Sequence, residues 1–149
     1  ELFSTSPYLF NGYWKRPDET KEALVDGWLT VGDMARQDED GYLYIVDRKK
    51  DMVISGGINI YPREIEDVLY NHPNIEDVAV IGVPDEKWGE SLKAFIVAKN
   101  PDELQSEDVL SFCEQNISKI KTPKIIEFID TIPRNANGKV LKTALKKDS

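Results

Sequence analysis

Apolar and polar positions along this chain alternate with strand period, helical period and unbroken hydrophobic runs in turn. Residues 28–37 and 42–47 read as two strands. Asp38-Glu39-Asp40-Gly41 joins them, and Asp-Gly between apolar runs is a hairpin signal. Met52-Val53-Ile54 is a short apolar run suited to a buried strand, followed by Gly56-Gly57. Residues 62–71 read as a helix: Pro62 suits its first turn, and Glu64 and Glu66 lie near the positive end of its dipole. Ile65, Val68 and Leu69 share one face of it, and His72-Pro73 ends it. Residues 75–83 are nearly all apolar after Asp77, as in a central strand covered on both faces. Pro84-Asp85 turns the chain, and residues 92–99 alternate as a neighbouring strand would. Residues 106–118 form a second amphipathic helix, with Ser106 as cap and Val109, Leu110, Cys113 and Ile117 as its buried stripe. A short strand at 125–129, a turn-rich loop at 133–139 and a short final helix complete the pattern. The fold class is α+β. A small domain with a three-stranded sheet, two or more helices and a β-hairpin follows a β-rich segment, with the division at 1–46 and 47–149.

Length and composition suit such a soluble globular protein: 149 residues, 40 % apolar and 31 % charged. No apolar run approaches the roughly 20 residues that cross a membrane, and the start has no secretory pattern. A cytoplasmic location fits best. One cysteine excludes an internal disulfide, and with one histidine it leaves no basis for a metal cluster. The net charge of −8 argues against nucleic-acid binding. It is unevenly spread: residues 117–147 hold eight Lys/Arg against two Asp/Glu, a balance of +6, which leaves −14 for the rest. A basic tail on an acidic body suits a small anionic ligand and equally suits a solvated tail.

Several residues stand out chemically. Asp33 lies in an apolar strand, where a carboxylate is costly without donors such as vicinal ribose hydroxyls; a solvated strand-edge aspartate is the simpler alternative. Asp47-Arg48-Lys49-Lys50-Asp51 is a dense charge cluster, a solvated turn unless something else claims it. Trp88 lies in a polar turn, either exposing its indole or folding back on the sheet. Lys139 ends a mobile loop of turn-forming residues. Tyr13 and Trp14 read as packing, Cys113 as core, and His72 as a helix-end residue without a nucleophile.

Read as one string, Asp47 to Glu66, DRKKDMVISGGINIYPREIE, resembles the signature region of the adenylate-forming enzymes, most of all the acyl-CoA synthetases. The likeness runs from about Gly12 to Lys142. It implies that residues 1–46 are the distal β-rich part of a large N-terminal AMP-binding domain, and that 47–149 are the mobile C-terminal domain. The start at Glu1-Leu2-Phe3, entered as if in mid-strand, fits a piece of a longer protein. By this resemblance Asp33 binds the ribose of AMP, with Val31 standing where threonine is usual, and Arg48 contacts the ribose or its neighbours. Lys50 occupies the hinge position. Gly56, Gly57 and Trp88 wall the channel for the pantetheine arm of CoA. Lys119 and Lys121, with Lys124, meet the CoA nucleotide; Thr122 replaces a basic residue found in some relatives. Lys139 is the catalytic lysine of adenylation.

The implied reaction is a two-step ligation. A carboxylic acid, a fatty acid in the first instance, reacts with Mg-ATP to give acyl-AMP and pyrophosphate, and CoA then displaces AMP. Magnesium, adenine and acyl group belong to the N-terminal domain, so these 149 residues alone are expected to be inactive. Two alternatives remain. One is an adenylation domain that loads a carrier protein. The other is a non-catalytic interaction domain on the same scaffold.

Overall fold

Short, glycine-punctuated pairings build the first part of the chain. The computed structural model describes residues 1–147. Helix α1 (Pro17–Ala23) starts with a proline and leads into the two-residue strands β1 (Leu24–Val25) and β2 (Trp28–Leu29). Strands β3 (Asp33–Gln37) and β4 (Leu43–Arg48) then form an antiparallel hairpin. Its turn works as the sequence suggests: Asp38 Oδ1 accepts the N–H groups of Asp40 and Tyr42, and Gly41 takes φ +87°.

The single strand expected over 28–37 is broken. Gly32 sits at φ +77°, a left-handed conformation that extended backbone does not allow, so β2 and β3 are separate. Asp33 therefore begins a strand instead of lying inside one. These elements form one compact unit, Glu1–Lys50, and a second unit starts at Asp51. The boundary falls within the short 3₁₀ helix Lys49–Asp51.

The second unit opens with β5 (Val53–Ser55) and β6 (Ile58–Ile60), paired antiparallel around Gly56-Gly57. Both glycines have positive φ, +58° and +81°, which the tight two-residue hairpin requires. Helix α2 (Pro62–Leu69) follows, then the long hairpin of β7 (Ile75–Asp85) and β8 (Gly89–Ala98). Helix α3 (Ser106–Asn116), strand β9 (Ile125–Phe128) and the one-turn helix α4 (Lys142–Leu145) complete it. Strand β9 joins β8 in parallel, and β5 meets β8 through Ser55 and Gly89. The sheet is thus the expected three strands β7, β8 and β9, with the β5–β6 hairpin hydrogen-bonded on, giving five strands in all.

Both faces of β7 are covered, as its unbroken hydrophobicity requires. Val78 and Val80 pack with Ile65 and Leu69 of α2 and Val109 and Cys113 of α3. Ala79, Ile81 and Val83 turn the other way, onto Phe95, Ile132 and Leu145. Two expectations about the helices change. The cap of α3 is Gln105, whose backbone is extended and whose N–H donates to Asp108 Oδ2 at 3.0 Å; Ser106 is already inside the first turn. In α2 it is Glu66, not Val68, that completes the buried face with Ile65 and Leu69.

Candidate active-site elements

Residues 133–139 close on themselves before they reach out. Asn135 Oδ1 accepts the N–H groups of Asn137 and Lys139, at 3.0 and 2.9 Å, and Asn135 N–H donates to the Lys139 carbonyl at 2.9 Å. Arg134 and Val140 form a β-bridge, and Leu141 N–H donates to the Pro133 carbonyl. Lys139 stands exposed at the end of this loop, and its ammonium has no partner among the described residues.

The loop is tied down by ion pairs on either side of Lys139. Arg134 donates to both oxygens of Asp77 at 2.8 Å, and Asp77 also accepts from Tyr70 Oη at 2.6 Å. Burial would raise the Asp77 carboxyl, but hydrogen bonds from Arg134, Tyr70 and the Val78 N–H hold it below the usual range. Burial and the neighbouring Asp77 push the Tyr70 phenol up, and the Arg134 guanidinium is raised by the same carboxylate. Beyond the lysine, Lys142 on α4 pairs at 2.8 Å with the buried Glu66, which also accepts the Val80 N–H at 2.9 Å. Sequence reading missed Arg134, Asp77, Glu66 and Lys142, since each depends on a partner distant along the chain.

In the first unit, Asp33 and Arg48 come together. Nε of Arg48 lies 2.8 Å from Asp33 Oδ1, because β3 and β4 place the two residues directly opposite. Both remain partly exposed, and a cleft of about 950 Å³ beside them is lined by Tyr13, Thr30, Val31, Gly32 and Arg48, among others. Lys50 is exposed and is the last residue of this unit.

The second unit carries a groove of about 780 Å³ whose walls include Trp88, Leu110, Lys119, Ile120, Thr122 and Lys124. Trp88 neither stands free nor folds fully into the sheet. It is 40 % exposed and lies against Gly56, where an added Cβ would come within 2.6 Å of its ring. The Gly56 N–H donates to the Trp88 carbonyl at 2.9 Å. Asp85 Oδ1 accepts the N–H groups of Lys87 and Trp88, and its other oxygen pairs with Lys124 Nζ at 2.6 Å. The Lys124 ammonium and those amide donors hold the Asp85 carboxyl down to about 2.

The sequence-derived set around CoA is thus only partly assembled. Gly56, Trp88 and Lys119 belong to this region, and the Cβ position of Gly57 is open. Lys121 does not line the groove; its Nζ is held by Glu64, at 2.7 Å. Cys113 is buried in the core, and burial raises its thiol to about 11.

Known proteins give this arrangement a context. A family model described as the AMP-binding enzyme C-terminal domain matches residues 64–139, just over half of the chain. The chain belongs to this family. The AMP-binding C-terminal match runs from Glu64, in the first turn of α2, through the loop that carries Lys139, so the second unit holds it entirely. A long-chain-fatty-acid–CoA ligase from Escherichia coli O6:H1 is 45 % identical over 149 residues, which are 100 % of this chain and 26 % of that protein. The ATP-bound structure of MatB from Rhodopseudomonas palustris is 39 % identical with a TM-score of 0.88, over 97 % of this chain and 29 % of that one. The o-succinylbenzoate CoA synthetase MenE from Bacillus subtilis, in complex with its acyl-adenylate intermediate, gives a TM-score of 0.89 at 35 % identity, with the same coverage. The chain spans about a quarter of the length of the curated relatives it matches.

Proposed function

We propose that this chain is the C-terminal part of an AMP-forming acyl-CoA synthetase, acting on a fatty acid, and that Lys139 serves its adenylation step. The observation that carries this reading is the state of Lys139: an exposed ammonium with no partner among the described residues, on a loop whose backbone is hydrogen-bonded in place. Similarity to a long-chain-fatty-acid–CoA ligase supports the substrate class.

In the first half-reaction a carboxylate oxygen attacks the α-phosphorus of ATP, forming an acyl–phosphate bond as the bond to pyrophosphate breaks. Two anions must approach each other. The Lys139 ammonium, presented between them, offsets their repulsion and stabilises the charge that develops on the phosphoryl oxygens. Asp33 accepts from the ribose hydroxyls, and Arg48, its ion-pair partner, sets the orientation of that carboxylate.

In the second half-reaction the sulfur of CoA attacks the acyl carbonyl carbon and AMP leaves. The second unit reorients about Lys50, which withdraws Lys139 and brings the Gly56-Gly57 turn and Trp88 to the acyl-adenylate. The groove between Trp88, Lys119 and Lys124 then receives the CoA arm, with its apolar walls against the pantetheine and its ammonium groups toward the phosphates. The 149-residue chain alone is inactive, because the acyl and adenine pockets lie in the rest of the protein.

The test is a crossed pair of variants in the full-length protein. Lys139→Ala slows exchange of pyrophosphate into ATP and spares thioester formation from supplied acyl-AMP. Gly57→Leu does the reverse. Equal damage to both half-reactions by either variant would remove the division of labour. Thioester formation with a carrier protein but not with CoA would move the second step to the carrier-loading alternative.

A further inference from the structure

The peptide group that joins Gly138 to Lys139 is held at both ends. Its carbonyl oxygen accepts from Arg134 Nη1 at 2.9 Å, and its N–H donates to Asn135 Oδ1 at 2.9 Å. A planar peptide gripped at oxygen and at nitrogen resists rotation, and the Lys139 carbonyl beyond it accepts from the Asn135 N–H at 2.9 Å, so the planes on both sides of the Lys139 Cα are restrained and with them the direction of its Cα–Cβ bond. Gly138 is at φ +79°, so the backbone turns sharply just before the lysine, in a conformation that favours glycine.

The grip is itself anchored. Nη2 of Arg134 donates to both carboxylate oxygens of Asp77, and Asp77 receives the Tyr70 hydroxyl from the C-terminal end of α2. Asp77 lies on β7 at an irregularity in the pairing with β8, between Ile75 and Asp77. One guanidinium therefore connects the lysine's own peptide to the central sheet and to α2.

We propose that Arg134, braced by Asp77 and Tyr70 and assisted by Asn135, is the positioning device for Lys139. This rests on the reading of Lys139 as the adenylation lysine. Arg134 touches no reacting atom: its guanidinium is occupied by Gly138 and Asp77, and it acts by holding the lysine's backbone. A lysine side chain has four rotatable carbon–carbon bonds, and leaving the backbone free as well would spread its ammonium over many positions. Displacement of a catalytic group by about 1 Å can cost about 10²-fold in rate. Arg134→Lys keeps the charge opposite Asp77 but cannot donate to both Asp77 oxygens and the Gly138 carbonyl in one planar fork, so it restores only part of the function.

The experiment uses the full-length protein, with pyrophosphate–ATP exchange and thioester formation from supplied acyl-AMP measured separately. Arg134→Ala is expected to lower the kcat of exchange by about 10–10²-fold with little change in the KM for ATP, and to spare the thioester step. Arg134→Lys should fall between Arg134→Ala and the parent protein. The deciding arm is a double-mutant cycle: in a Lys139→Ala background, Arg134→Ala should cost less than about 2-fold more. A merely structural role would instead lower both half-reactions and would persist without the lysine. Asn135→Ala, at an exposed loop position, supplies the same cycle should Arg134→Ala fold poorly. Normal exchange in Arg134→Ala or Asn135→Ala beside a defective Lys139→Ala overturns the positioning proposal alone. Normal exchange in Lys139→Ala overturns the reading beneath it, and the positioning proposal with it.

Discussion

Replacing Glu66 tests whether the buried ion pair behind the Lys139 loop anchors α4. Glu66 is 7 % exposed, and its carboxylate accepts the Val80 N–H at 2.9 Å and pairs with Lys142 Nζ at 2.8 Å. Glu66→Ala leaves the Val80 N–H without its acceptor, which costs about 1–3 kcal/mol for a buried group. It also leaves Lys142, whose side chain is only 15 % exposed, without its counter-charge. Breaking such a pair from one side typically costs about 3–5 kcal/mol, a figure that already includes part of the first term. In a unit of about 100 residues, 1 kcal/mol is worth about 4–8 °C, so the unit should melt roughly 12 °C or more below the parent. Glu66→Gln retains an acceptor for Val80 and should lose less. Removing both charges, as in Glu66→Gln with Lys142→Met, should recover part of what either single loss of charge costs, since no uncompensated buried charge remains. Thermal and urea unfolding of the parent, Glu66→Gln, Lys142→Met and the double variant give the cycle, Glu66→Ala is measured beside them, and hydrogen exchange at the Val80 amide reads the local effect. A loss below about 1 kcal/mol for Glu66→Ala, or a double variant no better than the sum of its singles, would refute this account of the pair.

Two further outcomes follow from the groove. Gly56→Ala puts a methyl group 2.6 Å from the Trp88 ring at a backbone φ of +58°, so the indole must move and about 1–2 kcal/mol of backbone strain is added; a variant with parental melting temperature and Trp88 emission would contradict the packing. The Asp85 carboxyl, held at about 2, lies below the unfolded value of about 3.9, so its contribution to stability is complete above the unfolded value and fades as pH falls toward about 2. In Lys124→Gln the Asp85 carboxyl should titrate closer to the unfolded value by NMR, and an unchanged titration would remove Lys124 as the cause.

What could be read from the chain was local. The Asp38–Gly41 turn, the proline start of α2 and the doubly covered β7 follow from residue types that permit little else, and all three stand in the structure. The break at Gly32 was hidden, because a glycine in an apolar run does not announce the sign of its φ. The attachment of the β5–β6 hairpin to the sheet was hidden too, since it depends on Ser55 meeting Gly89 across a long stretch of sequence. The same distance explains the site residues. Arg134 and Asp77, and Lys121 and Glu64, are each 57 positions apart, and no local pattern links an arginine in one loop to an aspartate in one strand. Lys139 stands out in the sequence through the string that carries it, and its role in adenylation is a proposal; the groups that hold its backbone do not stand out there.

The most direct measurement is a single-turnover time course of acyl-AMP formation by the full-length protein with Lys139→Ala. The account predicts a rate about 10²–10³-fold below the parent, with CoA still consuming supplied acyl-AMP at the parental rate. Acyl-AMP formed by the variant as fast as by the parent would contradict it.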